Sequence, residues 1–265
     1  MFMLNKKVIA LSTKPVRSDK LNKHSAVIPI ELCDRLQPLR ETGNISFTFV
    51  CMANMERSKW ASRVLGHLIN EYQLEDYVSI SSGCPFRKSV RNHMDETTMQ
   101  RSKVTTFKSW GEQDKFKDVY KEDQINHLQK DLTRRSKKYG ISLPENWQDR
   151  YARSLTSNDL RSTVIICLEA GQKGQTDKIS KHTKALADFF FSSDPEQAEN
   201  TKANIISFNE ILGDPTFSKI DIWDYDQVYH SIKKIILPAI IRSASEYDLL
   251  NKAYSPSRQH GGYSQ

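Results

Sequence analysis

Phe47-Thr48-Phe49-Val50 is an apolar, β-prone run that ends on Cys51, and six residues further on Arg57 introduces a segment with helical periodicity. A strand that passes through a tight loop straight into a helix commits the chain to crossover connections, and therefore to a parallel sheet with both faces covered. The rest of the chain repeats this alternation. Residues 45–51 read as a strand, 58–73 as a helix with Trp60, Val64, Leu65 and Leu68 on one face, and Tyr77 to Ser81 as a second strand. Further on come a helix from Leu128 to Tyr139 closed by Gly140, a buried strand from Thr163 to Leu168, a helix around Thr176 to Phe191 and a strand from Ala203 to Phe208. A last short strand is expected to lead into Asp221, ahead of a helix from about Tyr225 to Ala244. Ligands of such α/β sheets sit at the carboxyl ends of the strands, and Cys51 occupies one of these ends.

The residue types around Cys51 have a chemical meaning. Successive backbone N–H groups of the loop can curl into an anion-binding nest, and Arg57 can close it with a bidentate guanidinium. The helix that follows adds the partial positive charge of its N-terminus, which favours phosphate and thiolate alike. Cys33, Cys84 and Cys167 have Leu39, Val90 and Lys173 at the position matching Arg57, so only Cys51 combines a preceding strand with a following arginine and helix.

Composition narrows the class. With 265 residues, 38% of them hydrophobic and 27% charged, the chain can bury a sizeable core and suits one elaborated domain. Runs such as Ile235-Ile236-Leu237-Pro238-Ala239-Ile240-Ile241 are too short to span a bilayer, and the N-terminus has no secretory signal pattern, so a cytoplasmic protein is expected. Four unevenly spaced cysteines form neither a disulfide framework nor a zinc pattern, which fits a reducing compartment. The net charge of +7 is uneven: residues 1–44 carry 8 basic and 4 acidic side chains, residues 87–153 carry 16 and 10, and the remainder is acidic. This excess can steer an acidic phosphoprotein or solvate surface helices, and no nucleic-acid reader motif accompanies it.

The loop Cys51-Met52-Ala53-Asn54-Met55-Glu56-Arg57-Ser58 resembles the Cys-x-Gly-Asn-x-Cys-Arg-Ser loop of the low-molecular-weight protein tyrosine phosphatases, with cysteine, asparagine, arginine and serine in register. Val78-Ser79-Ile80-Ser81-Ser82-Gly83 is similar to that family's Ser-Ala-Gly turn. Lys138-Tyr139-Gly140-Ile141-Ser142-Leu143, then Tyr151 to Leu160 and the strand Val164 to Leu168, resemble the stretch before its third strand. The resemblance implies a three-layer α/β/α fold around a mostly parallel four-stranded sheet, elaborated by extra helices. It extends over residues 45–245 apart from an insertion at about 87–128. Residues 1–44 form an N-terminal extension with one helix, Pro29 to Gln37, and residues 246–265 a polar, disordered tail.

The implied activity is hydrolysis of phosphotyrosine, or a similar phosphomonoester, through a cysteinyl-phosphate, with no metal or cofactor. Cys51 is the implied nucleophile, Arg57 and the loop from Met52 to Ser58 the phosphate cradle, and Ser58 a donor to the Cys51 sulfur. Asn54 is expected to hold the loop in left-handed geometry. The family's general acid lies in an Asp-Pro-aromatic loop before the last helix. Asp224, in Ile222-Trp223-Asp224-Tyr225, is the first choice; Asp221 and Asp214, the latter in Asp214-Pro215-Thr216-Phe217, are the alternatives. Trp60, Trp223 and Tyr225 are candidates for walling a phenyl slot, with the core as the other reading for Trp60. Expected partners are a phosphorylated protein or a small phosphomonoester.

Three departures qualify the pattern. Glu56 replaces the family's second loop cysteine, Ala53 a glycine and Lys59 a proline. Glu56 places a carboxylate beside the anion site. A phosphate-binding module without turnover therefore stands as a competing function; an arsenate reductase on the same fold is the less favoured alternative, because Cys84 and Cys167 lack the close pairing a disulfide relay needs.

Overall fold

Strands β1 (Ile45–Val50), β2 (Val78–Gly83), β3 (Val164–Cys167) and β4 (Ile205–Ser207) make one sheet in the order β2-β1-β3-β4, every pairing parallel. The computed structural model describes residues 28–51, 54, 56–85, 122–142, 155–169, 178–214, 221–222 and 224–254. Helices α1 (Ile30–Arg35) and α2 (Gln37–Thr42) precede β1, and α3 (Arg57–Glu71) crosses from β1 to β2. Between β2 and β3 lie α4 (Glu122–Tyr139) and α5 (Ser157–Leu160); α6 (Lys178–Phe190) and α7 (Pro195–Asn204) connect β3 to β4. After β4 come α8 (Phe208–Ile211), α9 (Tyr225–Ser231), a π-helical turn at Ile232–Ile236 and α10 (Leu237–Tyr254).

The period of two in the strands sorts their side chains into two cores. Phe47, Phe49, Val164, Ile166 and Ile206 pack with Leu32, Leu36, Leu39, Trp60, Leu65, Val228 and Ile240, which puts α1, α2, α3, α9 and α10 on one face. Val50, Ile165, Cys167 and Ile205 pack with Leu160, Ile179, Leu186 and Ala198 of α5, α6 and α7 on the other. The fold is thus a three-layer α/β/α sandwich, and both cores are needed because β3 is buried along its whole length. The chain leaves β1 toward β2 on one side and reaches β3 on the other, so the carboxyl end of β1 is the switch point where such sheets open a crevice.

Several elements differ from the sequence reading. The single helix expected at Pro29 to Gln37 is two, α1 and α2, meeting at Leu36. Pro38 has no N–H to give the Asp34 carbonyl, so a new helix starts there with proline in its first turn. These helices bury Leu32, Leu36 and Leu39 in the same core as β1. β4 is shorter than Ala203 to Phe208, because α7 runs through Asn204 and Ser207 opens α8 in a capping box with Glu210. The final helix passes beyond Ala244, so residues 246–254, assigned to the polar tail, are helical. Its extension is tied down where the Tyr77 hydroxyl donates to Asp248 at 2.9 Å and Tyr77 meets the Tyr247 ring edge-on at 6.5 Å. The π turn ahead of it accommodates Pro238, whose ring would collide with the Lys234 carbonyl in a regular α-helix. The strand expected before Asp221, most of the 87–128 insertion, and residues 1–27 and 255–265 lie outside the described residues.

Gly83, at the end of β2, is held close to α5's approach. A Cβ there would stand 2.7 Å from Leu155 Cδ2 and 3.2 Å from the Leu155 backbone nitrogen. Gly83→Ala is therefore expected to destabilise the fold by about 1–3 kcal/mol, the range for overpacking a filled core, measurable by urea unfolding.

Candidate active site

The sheet fixes the base of the site from both sides. Val50 accepts a hydrogen bond from the Leu168 N–H at 2.8 Å, and the Cys51 N–H donates to the Gly83 carbonyl at 3.4 Å. Cys51 itself is buried, with its Sγ 3.0 Å from the Ser58 hydroxyl in the first turn of α3. Asn54 is buried above them in the left-handed region, φ 51°, a geometry asparagine tolerates because its short amide bonds locally. Its Nδ2 donates to Ser58 Oγ at 3.0 Å and to Ser82 Oγ at 3.1 Å. A Cys51 thiolate, having no hydrogen of its own, would accept from the Ser58 hydroxyl, whose oxygen also takes the Asn54 amide.

Arg57 is the first residue of α3 and is buried, 9% exposed. Its Nη1 donates to the Leu168 carbonyl at 2.9 Å, joining the loop after β1 to the end of β3 across the switch point. Glu56 holds the N-cap position of α3, yet its side chain makes no capping bond. The Glu56 carboxylate accepts instead from the Tyr225 hydroxyl at 2.6 Å. Tyr225 is buried and its hydroxyl titrates far above its ordinary value, first because burial disfavours the phenolate and then because the Glu56 charge opposes it. It therefore stays a neutral donor.

Tyr225, a candidate slot wall and substrate contact, is buried at the start of α9 with its hydroxyl donated to Glu56. Trp60 is a core residue whose Nε1 donates to the Tyr225 carbonyl at 3.1 Å, with the two rings 6.2 Å apart. From α4, the Arg135 guanidinium lies 5.2 Å from the Tyr225 ring centre and binds Asp226 at 2.8 Å and Asp131 at 2.7 Å.

The three aspartates have different surroundings. Asp224 caps α9, its Oδ1 accepting from the Asp226 and Gln227 N–H groups at 2.9 and 3.2 Å, with Arg135 3.9 Å away. Asp221 is exposed and receives the Asp224 N–H on its carbonyl at 3.0 Å. Asp214 is buried, and the Asn209 amide approaches its carboxylate at 3.5 Å. Met52, Ala53, Met55 and Trp223 lie outside the described residues. The Leu168 carbonyl, Ser82, Arg135 and the Glu56–Tyr225 bond were not anticipated. The Asp131–Arg135 spacing of four marked a helical ion pair, but nothing in the sequence pointed it at α9.

No family model and no curated protein matches the chain. It is similar to solved low-molecular-weight protein tyrosine phosphatases. One, SP-PTP from Streptococcus pyogenes, is 14% identical, with 80% of this chain and 95% of that one covered and a TM-score of 0.37. Another, from T. tengcongensis, is 17% identical over 79% of this chain and 99% of that one, with a TM-score of 0.36. YfkJ from Bacillus subtilis is 14% identical over 80% and 97%, with a TM-score of 0.38. Among the described residues no helix is long and apolar enough to cross a membrane.

Proposed function

We propose that this chain is a cysteine-dependent phosphatase of phosphotyrosine or a similar phosphomonoester, acting in the cytoplasm on a phosphorylated protein or small molecule. One observation carries the reading: a cysteine sulfur 3.0 Å from a serine hydroxyl lies at the base of a loop that a buried arginine joins at a helix N-terminus, at the sheet's switch point. Cys51 attacks phosphorus as a thiolate while the bond to the leaving oxygen breaks. Arg57, Ser58 and the loop from Met52 through Glu56 surround the equatorial oxygens, where charge must be held through the transition state. Asp224 gives its proton to the leaving oxygen, then takes one from the water that cleaves the S–P bond of the cysteinyl-phosphate. No cofactor enters these steps.

Asp224 keeps the acid role in this proposal because the residue beside it, Tyr225, touches the loop. It also caps α9, and the two roles are separable, since asparagine caps a helix as well as aspartate does. Asp224→Asn is expected to lower hydrolysis of phenyl phosphate, measured with EDTA present, by about 10²–10⁴-fold without unfolding the protein. Asp214→Asn and Asp221→Asn serve as controls. A comparable drop confined to either of them would transfer the acid role to it.

Glu56 favours one second reading, a phosphate-binding module without turnover, because a loop carboxylate opposes a dianion. Phosphate binding without hydrolysis would decide for it. Arsenate reduction is disfavoured, because burial pushes the Cys167 thiol up to about 12 and leaves it a poor relay.

A further inference from the structure

We propose that Cys84 is the resolving cysteine for Cys51: a peroxide closes a Cys51–Cys84 disulfide across the ends of β1 and β2 and switches the site off reversibly. The inference rests on the reading of Cys51 as a reactive thiolate and adds a regulation of that same site.

The sheet brings the two cysteines to one level. β1 and β2 run parallel with Ile45 paired to Val78 and Val50 to Gly83, so the next pair up the ladder is Cys51 with Cys84. In a parallel ladder, alternate residues of one strand give their N–H to the carbonyl just before their register partner. Ile45 does this at the start, donating to Tyr77 at 2.9 Å, and Cys51 repeats it at the end, donating to Gly83 at 3.4 Å. The Cys84 carbonyl turns the other way and accepts from the Leu155 N–H at 2.9 Å, the alternation of an extended strand. Pro85 has no N–H to return to the Cys51 carbonyl, and the ladder stops there.

Register partners project from the same face of a sheet, and strands about 4.8 Å apart bring their Cα atoms within the roughly 4.4–6.8 Å that a disulfide spans. Thr48 and Ser81, another pair of this ladder, meet hydroxyl to hydroxyl at 2.7 Å. Ser82, two residues before Cys84 and so on the same face of β2, accepts from the Asn54 amide, which also binds the Ser58 hydroxyl beside the Cys51 sulfur. That face of β2 therefore belongs to the site. Cys167 does not share it. It is level with Val50, packs in the opposite core, and burial pushes its thiol up to about 12. Cys33 stands on α1, outside the sheet.

A sulfur open to phosphorus is open to hydrogen peroxide. The Cys51 thiolate attacks one peroxide oxygen, the O–O bond breaks, and a sulfenic acid and hydroxide form. The Cys84 sulfur then attacks the sulfenic sulfur, the S–O bond breaks, and water leaves with the Cys84 proton. Two thiols lose two electrons in all, and the peroxide takes them. A dithiol reverses the disulfide, whereas a sulfenic acid left unresolved goes on to sulfinic acid, which a dithiol does not reduce.

The test treats the reduced full chain with hydrogen peroxide and reads intact mass, the cysteine-linked peptides and phenyl phosphate hydrolysis before and after dithiothreitol. The wild type is expected to lose about 2 Da, to yield a peptide joining Cys51 to Cys84, and to lose hydrolysis that dithiothreitol restores. Cys84→Ala, hydrolysing within about twofold of wild type when reduced, is expected to gain about 32 Da instead and to recover at least about tenfold less activity. A wild type without the Cys51–Cys84 peptide, or a Cys84→Ala variant that recovers as fully as wild type, would overturn the proposal. Mass separates this outcome from the fate of the phosphatase reading. A disulfide in a protein that never hydrolyses phenyl phosphate sinks that reading and leaves the cysteine pair standing; hydrolysis without the disulfide does the reverse.

Discussion

Cys51→Ser is expected to lower turnover of an aryl phosphate by ~10⁴-fold or more while inorganic phosphate continues to bind. The two atoms differ little in size, and the surroundings that shape the loop belong to other residues: the Asn54 amide on Ser58 and Ser82, Arg57 on the Leu168 carbonyl, and the sheet bonds of Val50 and Cys51. What changes is chemistry. A serine hydroxyl is ionised to a negligible degree near neutral pH, and an alkoxide is a much poorer leaving group than a thiolate when water attacks the phosphoryl intermediate. Steady-state rates together with the rise in melting temperature on adding phosphate would check both halves. Surviving turnover would remove Cys51 from the nucleophile's role, and loss of phosphate binding along with turnover would show that the thiol shapes the loop.

How much of this was legible in the sequence depends on where each residue's partner lies. β1 and β3 were readable because each is buried on both faces and so appears as a continuous apolar run, and Cys51 could be placed at a strand end for the same reason. The loop was readable because its partners are close in sequence: Asn54 bonds Ser58 four residues away, and Cys51 meets Ser58 seven away. Helix α7 was missed because Pro195 to Asn204 buries only Ala198 and Thr201 and has almost no apolar stripe. Its start was nevertheless marked, by Asp194 as cap and Pro195 in the first turn. The bond between Tyr225 and Glu56 was not readable at all. An aromatic at a helix start next to an acidic pair serves a binding slot or a core equally well, and the partner of its hydroxyl, Glu56, lies 169 residues away. The helix beyond Ala244 is a similar case, because the residues that hold Tyr247 and Asp248 belong to the segment before β2.

Arg57→Met is expected to cost turnover about 10³-fold or more and to abolish stabilisation by phosphate, while changing the stability of the unliganded protein by less than about 1 kcal/mol. The argument starts from a conflict. Arg57 is a cation, buried, at the positive end of α3, where both the helix dipole and desolvation oppose it. Its bond to the Leu168 carbonyl returns roughly 1.5–3 kcal/mol, the range for a hydrogen bond to a charged group. Burying the guanidinium also costs free energy, so a methionine of similar length loses the polar interactions and the penalty together. A buried guanidinium at a helix N-terminus is placed against the local electrostatics, a conflict of the kind expected at a functional site. Urea unfolding with and without phosphate separates the two contributions. At a phosphate concentration 100 times its dissociation constant the wild type should gain about 2.7 kcal/mol and Arg57→Met nothing. If the variant instead loses several kcal/mol without phosphate, Arg57 is a structural tie between β1 and β3, and the loop's claim to bind an oxyanion falls with it.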